Sequence, residues 1–391
     1  MSKQNKNAKV LRLEGLENRT LMAGDVTVAV VSGVLEIAGD AADNSIQIKQ
    51  SGAGWKVQGI GTTINGNNGA QTFTGVTGIE IDLGAGNDLI RATKGTLSGD
   101  LLISDLVGRT VIDLSKINAS SIGISTFDQT DAITLNKCTA TDGISIESFG
   151  TAQDGADVIT VIKSSAGTTF DIGTGTGNDS ITIKSATAGE AFVVGAFNAG
   201  TSDQDVVTIT KSSSGDEFEV LTGDGPDTVT LSKVLSGADL RVLAFDSTGD
   251  NGIDTVSIVK SGAVGSLEIE TGDGLDVVAV VKFTAGADVL ISTGESVNDV
   301  GDTLILTQVN AGNDIIITTG NGTDTTTLSK VVAANELNVD MGDGNADRLV
   351  VTRSRAVDAI FEGGDDDGDT LVQSRNVFGS DVATGFDNEI G

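Results

Sequence analysis

Apolar and polar residues alternate one for one in short runs along most of the chain, and most runs stop at a cluster of glycine and aspartate. The phrase FEVLTGDGPDTVTLSK, residues 218 to 233, contains the unit. Phe218 and Val220 flank Glu219, the pattern of a strand with one buried face. Gly223, Asp224, Gly225, Pro226 and Asp227 then interrupt it: glycine tolerates positive φ, and an aspartate side chain accepts backbone N–H groups in a turn. Val229 and Leu231 resume the alternation. Asp227 shares their parity, so its carboxylate is expected to point inward at the corner, where it needs hydrogen-bond donors or a cation.

Copies of the phrase follow in register: IEIDLGAGNDLIRATK from residue 79, FDIGTGTGND from 170, LEIETGDGLDVVAVVK from 267, IIITTGNGTDTTTLSK from 315 and LNVDMGDGNADRLVVTR from 337. Between them lie longer turns poorer in glycine, TAQDGAD, GTSDQD, STGDNGID and ESVNDVGD. The turn aspartate marks the series: Asp131, Asp157, Asp179, Asp205, Asp227, Asp254, Asp276, Asp302, Asp324, Asp347 and Asp369, with Asp88 upstream and Thr110 where an aspartate is expected. Short spacings of 22 or 23 alternate with long ones of 26 or 27 until the last markers. A fixed period in this range signals a solenoid, because such short strands bury their apolar face only by stacking. The expected fold is all-β, a right-handed parallel β-helix or β-solenoid of about 22–26 residues per coil. A third short apolar site after each lysine (Val234 and Leu235, Val264, Phe283, Val309, Val331 and Val332) suits three sheets; a flatter two-sheet β-roll is the alternative. At ~4.8 Å per coil, some 13 coils make a rod of roughly 60 Å.

The repeat divides the chain into a segment 1–25 outside it, a cap with the first coils at 26–78, the array at 79–375, and a C-terminal cap at 376–391 in which the register is lost and Phe378 and Phe386 could plug the last coil. Fifty-two glycines with one proline, no histidine and no tyrosine suit many tight corners. The 55 acidic against 24 basic residues give a formal charge of −31 over 391 residues. Phosphate binding requires the opposite sign, so nucleic acid is not an expected partner, and an anionic membrane surface is equally disfavoured. No apolar stretch is long enough to span a membrane. One cysteine and no histidine rule out a zinc site of the usual ligands. Cations are the expected partners.

If the aspartate turns stack one per coil, neighbouring carboxylates repel by about 0.9 kcal/mol even at the dielectric of water. Lys94, Lys116, Lys137, Lys163, Lys211, Lys233, Lys260, Lys282, Lys330 and Arg353 each follow a marker position by six residues. That is roughly 20 Å of extended chain, beyond a Debye length of about 8 Å, so this second file does not neutralise the first. It reads as a solvated corner that discourages edge-to-edge aggregation, or as a ligand-binding stripe.

The turn resembles the G-G-x-G-x-D-x-U-x nonapeptide of hemolysin-type (RTX-like) calcium-binding repeats. Gly223, Gly225, Asp227 and Val229 fall on its second glycine, third glycine, aspartate and apolar positions, as do Gly272, Gly274, Asp276 and Val278. The first glycine is absent and one such turn occurs per coil, so the family's calcium cage does not carry over whole. What the resemblance implies is a calcium-ligand role for Asp88, Asp157, Asp179, Asp205, Asp227, Asp254, Asp276, Asp302, Asp324, Asp347 and Asp369, aided by Asp224, Asp273 and Asp343. The cluster Asp365, Asp366, Asp367, Gly368, Asp369 is the richest in carboxylates. The alternative for the whole column is that each carboxylate caps turn N–H groups without metal. Residues 16 to 23, LENRTLMA, are similar to the L-E-P-R-x-L-L type motif that heads exported bacterial surface proteins, which implies an extracellular or cell-surface location. The leading expectation is a calcium-binding solenoid with a structural, adhesive or matrix role and calcium ions, surface polysaccharide or other surface proteins as partners. A metal-free rod is the second, and a β-helical polysaccharide lyase or hydrolase the third.

Overall fold

The computed structural model describes residues 24–105, 107–127, 129–149, 155–196, 203–244, 252–294, 300–344, 346–365 and 367–391. Residues 1–23, including the motif at 16 to 23, Asp366 and most of the four longer turns lie outside the described residues. What is described is all-β, without a helix, and stacks as parallel coils into a β-solenoid of about 13 turns.

Each coil contributes to three ladders. The first holds the strand that follows the marker aspartate, as in Val206–Thr210, Thr228–Ser232 and Thr255–Val259. Like residues stack on like: Val207 pairs with Val229, Val229 with Val256 and Val256 with Val278. The second ladder holds the strand before the turn, with Phe192 on Phe218 and Phe218 on Leu240. Between the two runs a ladder only two residues wide, such as Thr139–Ala140 on Ser165–Ala166. That short ladder makes the cross-section three-sided, so the three-sheet helix applies and the two-sheet roll does not. Differences in coil length fall at the marker turn, outside all three ladders. Coils of 22 and 26 residues therefore stack without a register slip, which would send every apolar side chain to the wrong face.

Inward positions form one continuous core of Val, Ile, Leu and Ala columns. Phe170, Phe192 and Phe218 stack face to face, with centroids 4.9 and 4.7 Å apart and planes within 14°. Val234, Phe283, Val309 and Val331 fill the third side as expected, each essentially buried. Val264 and Leu235 do not: they are 71 % and 59 % exposed, because the inward column takes the residue directly after the lysine, Ser261 in one coil and Val234 in the other. Backbones approach closely at the corner after the short ladder. A Cβ on Gly215 would lie 2.0 Å from the Gly189 carbonyl oxygen, and one on Gly237 would lie 2.0 Å from that of Gly215.

The ends differ from the expected caps in one respect each. The N-terminal section closes the stack with antiparallel hairpins, Asp25–Val31 on Val34–Ala38 and Ser45–Ser51 on Gly54–Gly59. It feeds parallel pairs into the array through Leu35 on Ile79 and Ser45 on Leu89. An antiparallel hairpin covers a sheet edge that a plain coil would leave open. At the other end the sequence repeat fades but pairing continues: Val377–Thr384 lies parallel on Arg355–Glu362. Phe378 packs edge-on against Phe361 at 5.9 Å, and Phe386 rests on the core, so both phenylalanines close the last coils.

Candidate functional site

The marker aspartates form one file along the inner side of a corner, and neighbouring coils are joined through them. From Asp131 onward the backbone N–H of each donates to Oδ1 of the marker in the next coil at 2.6 to 2.8 Å, whereas the Asp88 N–H donates to the Arg109 carbonyl. The chain of bonds runs Asp131 to Asp157, Asp179, Asp205, Asp227 and Asp254, then on to Asp276, Asp302, Asp324, Asp347 and Asp369. The side chains are buried to within 2 % of complete. Strand geometry explains the pattern. The marker is the last residue of the turn, so its N–H lies just outside the parallel ladder and has no strand partner. A carboxylate one coil on, ~4.8 Å away, is within reach. Each rung satisfies a buried donor that would otherwise cost about 1–3 kcal/mol.

The opposite wall of the corner carries hydroxyl groups. Thr126 and Ser148 lie in register there, their oxygens 2.8 Å apart, and Ser148 donates to Oδ2 of Asp157 at 2.5 Å. Thr174, Thr222, Thr271, Thr293 and Thr319 continue that side as fully buried residues.

Thr110 stands in the marker file directly over Asp88. Its N–H donates to Asp131 like every other rung, and its hydroxyl donates to Oδ2 of Asp105 at 2.9 Å. The expected carboxylate has moved across the corner to Asp105, which is fully buried at the position taken by Thr126 in the next coil. The signal was in the sequence: aspartate replaces the usual hydroxyl in one wall where threonine replaces aspartate in the other. Asp88 Oδ2 and Asp105 Oδ1 are both buried acceptors with no donor between them when both groups are ionised. One shared proton supplies the missing donor. Burial, then the charge of its partner across the corner, raises the Asp88 carboxyl, and burial, helped by the charge of Asp82, raises that of Asp105. At the N-terminal end Asn44 ends the file: its N–H donates to Asp88 Oδ1 at 2.6 Å and its side-chain amide to the Ala42 carbonyl at 2.7 Å.

Farther along, burial pushes the Asp205 carboxyl up to about 9, and the carboxylates of Asp179 and Asp227 add to that, against the lowering effect of the Asp179 N–H. Burial, one coil from a carboxylate on either side, thus favours the neutral acid at Asp205.

A calcium cage requires six to eight oxygens around one point. The buried markers Asp88, Asp157, Asp179, Asp205, Asp227, Asp254, Asp276, Asp302, Asp324, Asp347 and Asp369 arrive one per coil with Oδ1 already accepting an N–H. Among the described residues no three acidic side chains converge as a metal site would need. These markers do not fit such a cage. Asp224 and Asp273 sit on the turns at 7 % and 6 % exposure, while Asp343, Asp365 and Asp367 are exposed. Asp343 and Asp365 line an open groove with Asp340 and Glu362, floored by Gly342 and Gly364. The Asp365 N–H donates to Asp343 there at 3.3 Å.

The lysine file occupies the second corner, and every member of it has positive φ, from 52° at Lys163 to 60° at Lys282, with Ser185, Gln308 and Arg375 completing the series. Non-glycine residues seldom adopt this left-handed conformation. Here it turns the chain from the first ladder into the third, and the corner is held by backbone bonds such as Lys211 N–H to Ser232 O and Lys233 N–H to Val259 O, both 2.9 Å. The following residue points inward. Where it is serine its hydroxyl caps the coil before: Ser164 accepts from the Cys138 N–H, Ser212 from Ala186 and Ser261 from Val234, at 3.0 to 3.2 Å.

The fold and its two corner files define an all-β solenoid whose carboxylates tie its coils together. No family model, no curated protein and no solved structure matches the chain.

Proposed function

We propose that the chain is a structural rod of an extracellular or cell-surface layer, with a spacer or adhesive role and no catalytic centre. The observation that carries this reading is the aspartate file, continuous from Asp131 to Asp369, in which the carboxylates are turned inward and used to hold one coil on the next. A lyase or hydrolase of the β-helix type needs acidic and basic side chains converging in a cleft, with local breaks in the repeat. The deviations here are regular changes in turn length that leave the ladders intact. The surface location rests on the resemblance of residues 16 to 23 alone.

The form of the rod we favour is metal-independent, because a backbone donor already occupies one oxygen of each marker carboxylate. A second reading keeps calcium at the open groove, where Asp340, Asp343, Glu362 and Asp365 lie on successive coils around a glycine floor. Thermal unfolding followed by circular dichroism, with chelator and with millimolar calcium, separates them. Equal midpoints support the metal-independent rod. A midpoint that rises with calcium, and no longer does so in Asp343→Asn/Asp365→Asn, supports the groove. Release of unsaturated or reducing ends from a polyuronate would overturn the non-enzymatic reading.

A further inference from the structure

The lysine file is a strip of positive charge on a strongly acidic protein, and its surroundings are unusually free of carboxylates. No Asp or Glu intervenes between Asp157 and Asp171, Asp179 and Glu190, Asp205 and Asp216, Asp227 and Asp239, or Asp254 and Glu268. Each gap contains a corner lysine or, in one coil, Lys184 beside Ser185. On one side of the file the outward positions of the first ladder form a row of hydroxyls in register: Thr134, Thr160, Thr182, Thr208 and Thr230, then Ser257. On the other side lie Thr139, Ser165, Thr187 and Ser213, after which the row passes to the exposed Leu235 and to Gly262. Among the described residues the ion pairs use Arg91 and Arg241, and none uses a corner lysine. The lysines are exposed, and their backbone is pinned at each coil.

We infer that this corner is a binding line for an acidic polysaccharide running parallel to the rod axis. Cations stand at the corner of most coils, spaced ~4.8 Å apart, about the advance of one linked pyranose ring, with Ser185 (beside Lys184) and Gln308 interrupting them, and the flanking threonines and serines offer donors and acceptors for sugar hydroxyls. The carboxylates of the marker corner, six residues or roughly 20 Å of extended chain away, lie beyond a Debye length of about 8 Å and do not cancel the corner lysines at physiological salt. A single-stranded nucleic acid fits less well. It needs aromatic platforms for its bases, and no exposed large hydrophobic residue among those described is aromatic. The inference deepens the surface-rod reading by naming a partner, and the binding itself does not depend on the rod's location.

The test uses the full chain and measures binding to polygalacturonate, to heparin as a sulfated glycan, to a neutral glucan and to single-stranded DNA across a salt series. The variant Lys211→Asn/Lys233→Asn/Lys260→Asn removes three adjacent corner charges while keeping a residue that tolerates positive φ. Arg109→Asn removes an exposed cation at the marker corner, off the file. The expected result is salt-sensitive binding to one or both acidic glycans, weakened roughly tenfold or more by the triple variant, as for three modest ion-pair contacts, and unchanged by Arg109→Asn. Preference for polygalacturonate over heparin assigns carboxylate as the recognised group, and the reverse assigns sulfate. An unaltered melting midpoint certifies the triple variant's fold; should it unfold, Lys233→Asn alone provides the comparison. No binding to either acidic glycan, equal binding to the neutral glucan, tighter binding to DNA, or no loss in the triple variant overturns the inference and leaves the rod reading standing.

Discussion

Asp227→Ala removes one rung from the middle of the file. The Asp227 N–H still donates to Asp254 at 2.7 Å, but the Asp205 N–H, which donated to Asp227 at 2.8 Å, loses its acceptor inside a corner that water does not reach. An orphaned buried donor costs about 1–3 kcal/mol. Because each coil contacts only its neighbours, the penalty falls on one interface. Asp227→Asn is the informative partner, since it keeps a side-chain oxygen in the same place and removes a charge that neighbours Asp205. It should cost less than about 1 kcal/mol at pH 7. Both are read by equilibrium denaturation in chelator, followed by circular dichroism. Alanine within the ±0.5 kcal/mol typical of a surface change would refute the rung argument. So would an asparagine variant as damaged as the alanine one.

Stability should fall as pH rises, against the usual trend for an acidic protein's carboxylates. A carboxyl raised in the fold binds a proton that the unfolded chain releases, so its contribution is complete below about pH 4 and is lost as pH climbs through the folded value. For Asp88 that window ends near 7 and for Asp205 near 9. Denaturation midpoints at pH 5 and pH 8 check the sign, and Asp205→Asn should flatten the slope. Gly215→Ala places a methyl 2.0 Å from a carbonyl oxygen of the neighbouring coil and should lower the melting temperature by several degrees. Lys233→Val puts a β-branched residue at φ 59° and should cost about 1–2 kcal/mol, whereas Lys233→Asn should be nearly neutral in a denaturant titration.

Much of the fold was legible because stacking forces repetition: a strand every coil, apolar residues at fixed parity, and turn length free to vary only where no ladder runs. The inward parity of the markers was legible for the same reason, since Asp227 had to share the face of Val229 and Leu231. What met that buried carboxylate was not. A donor or a cation satisfies the same parity, and the donor proved to be a backbone N–H one coil away, which no side-chain pattern encodes. Asp105 was hidden because its role appears only once it is seen to face Thr110 across one corner, at the place Thr126 takes in the next coil. The lysine file was visible as a spacing, but its left-handed backbone was not, because glycine or asparagine is the usual marker of that conformation. Val264 misled because an apolar residue after a lysine sits inward only when it follows immediately.

The central claim is that backbone-to-carboxylate bonds, without metal, hold the coils in a vertical stack. Amide hydrogen exchange, resolved at the marker aspartates of the full chain in chelator, tests it directly. The account predicts that the amides of Asp179, Asp205, Asp227, Asp254 and Asp276 exchange as slowly as the neighbouring strand amides, and that added calcium changes nothing at these positions. Marker amides that exchange at the rate of open turns until calcium is supplied would contradict it.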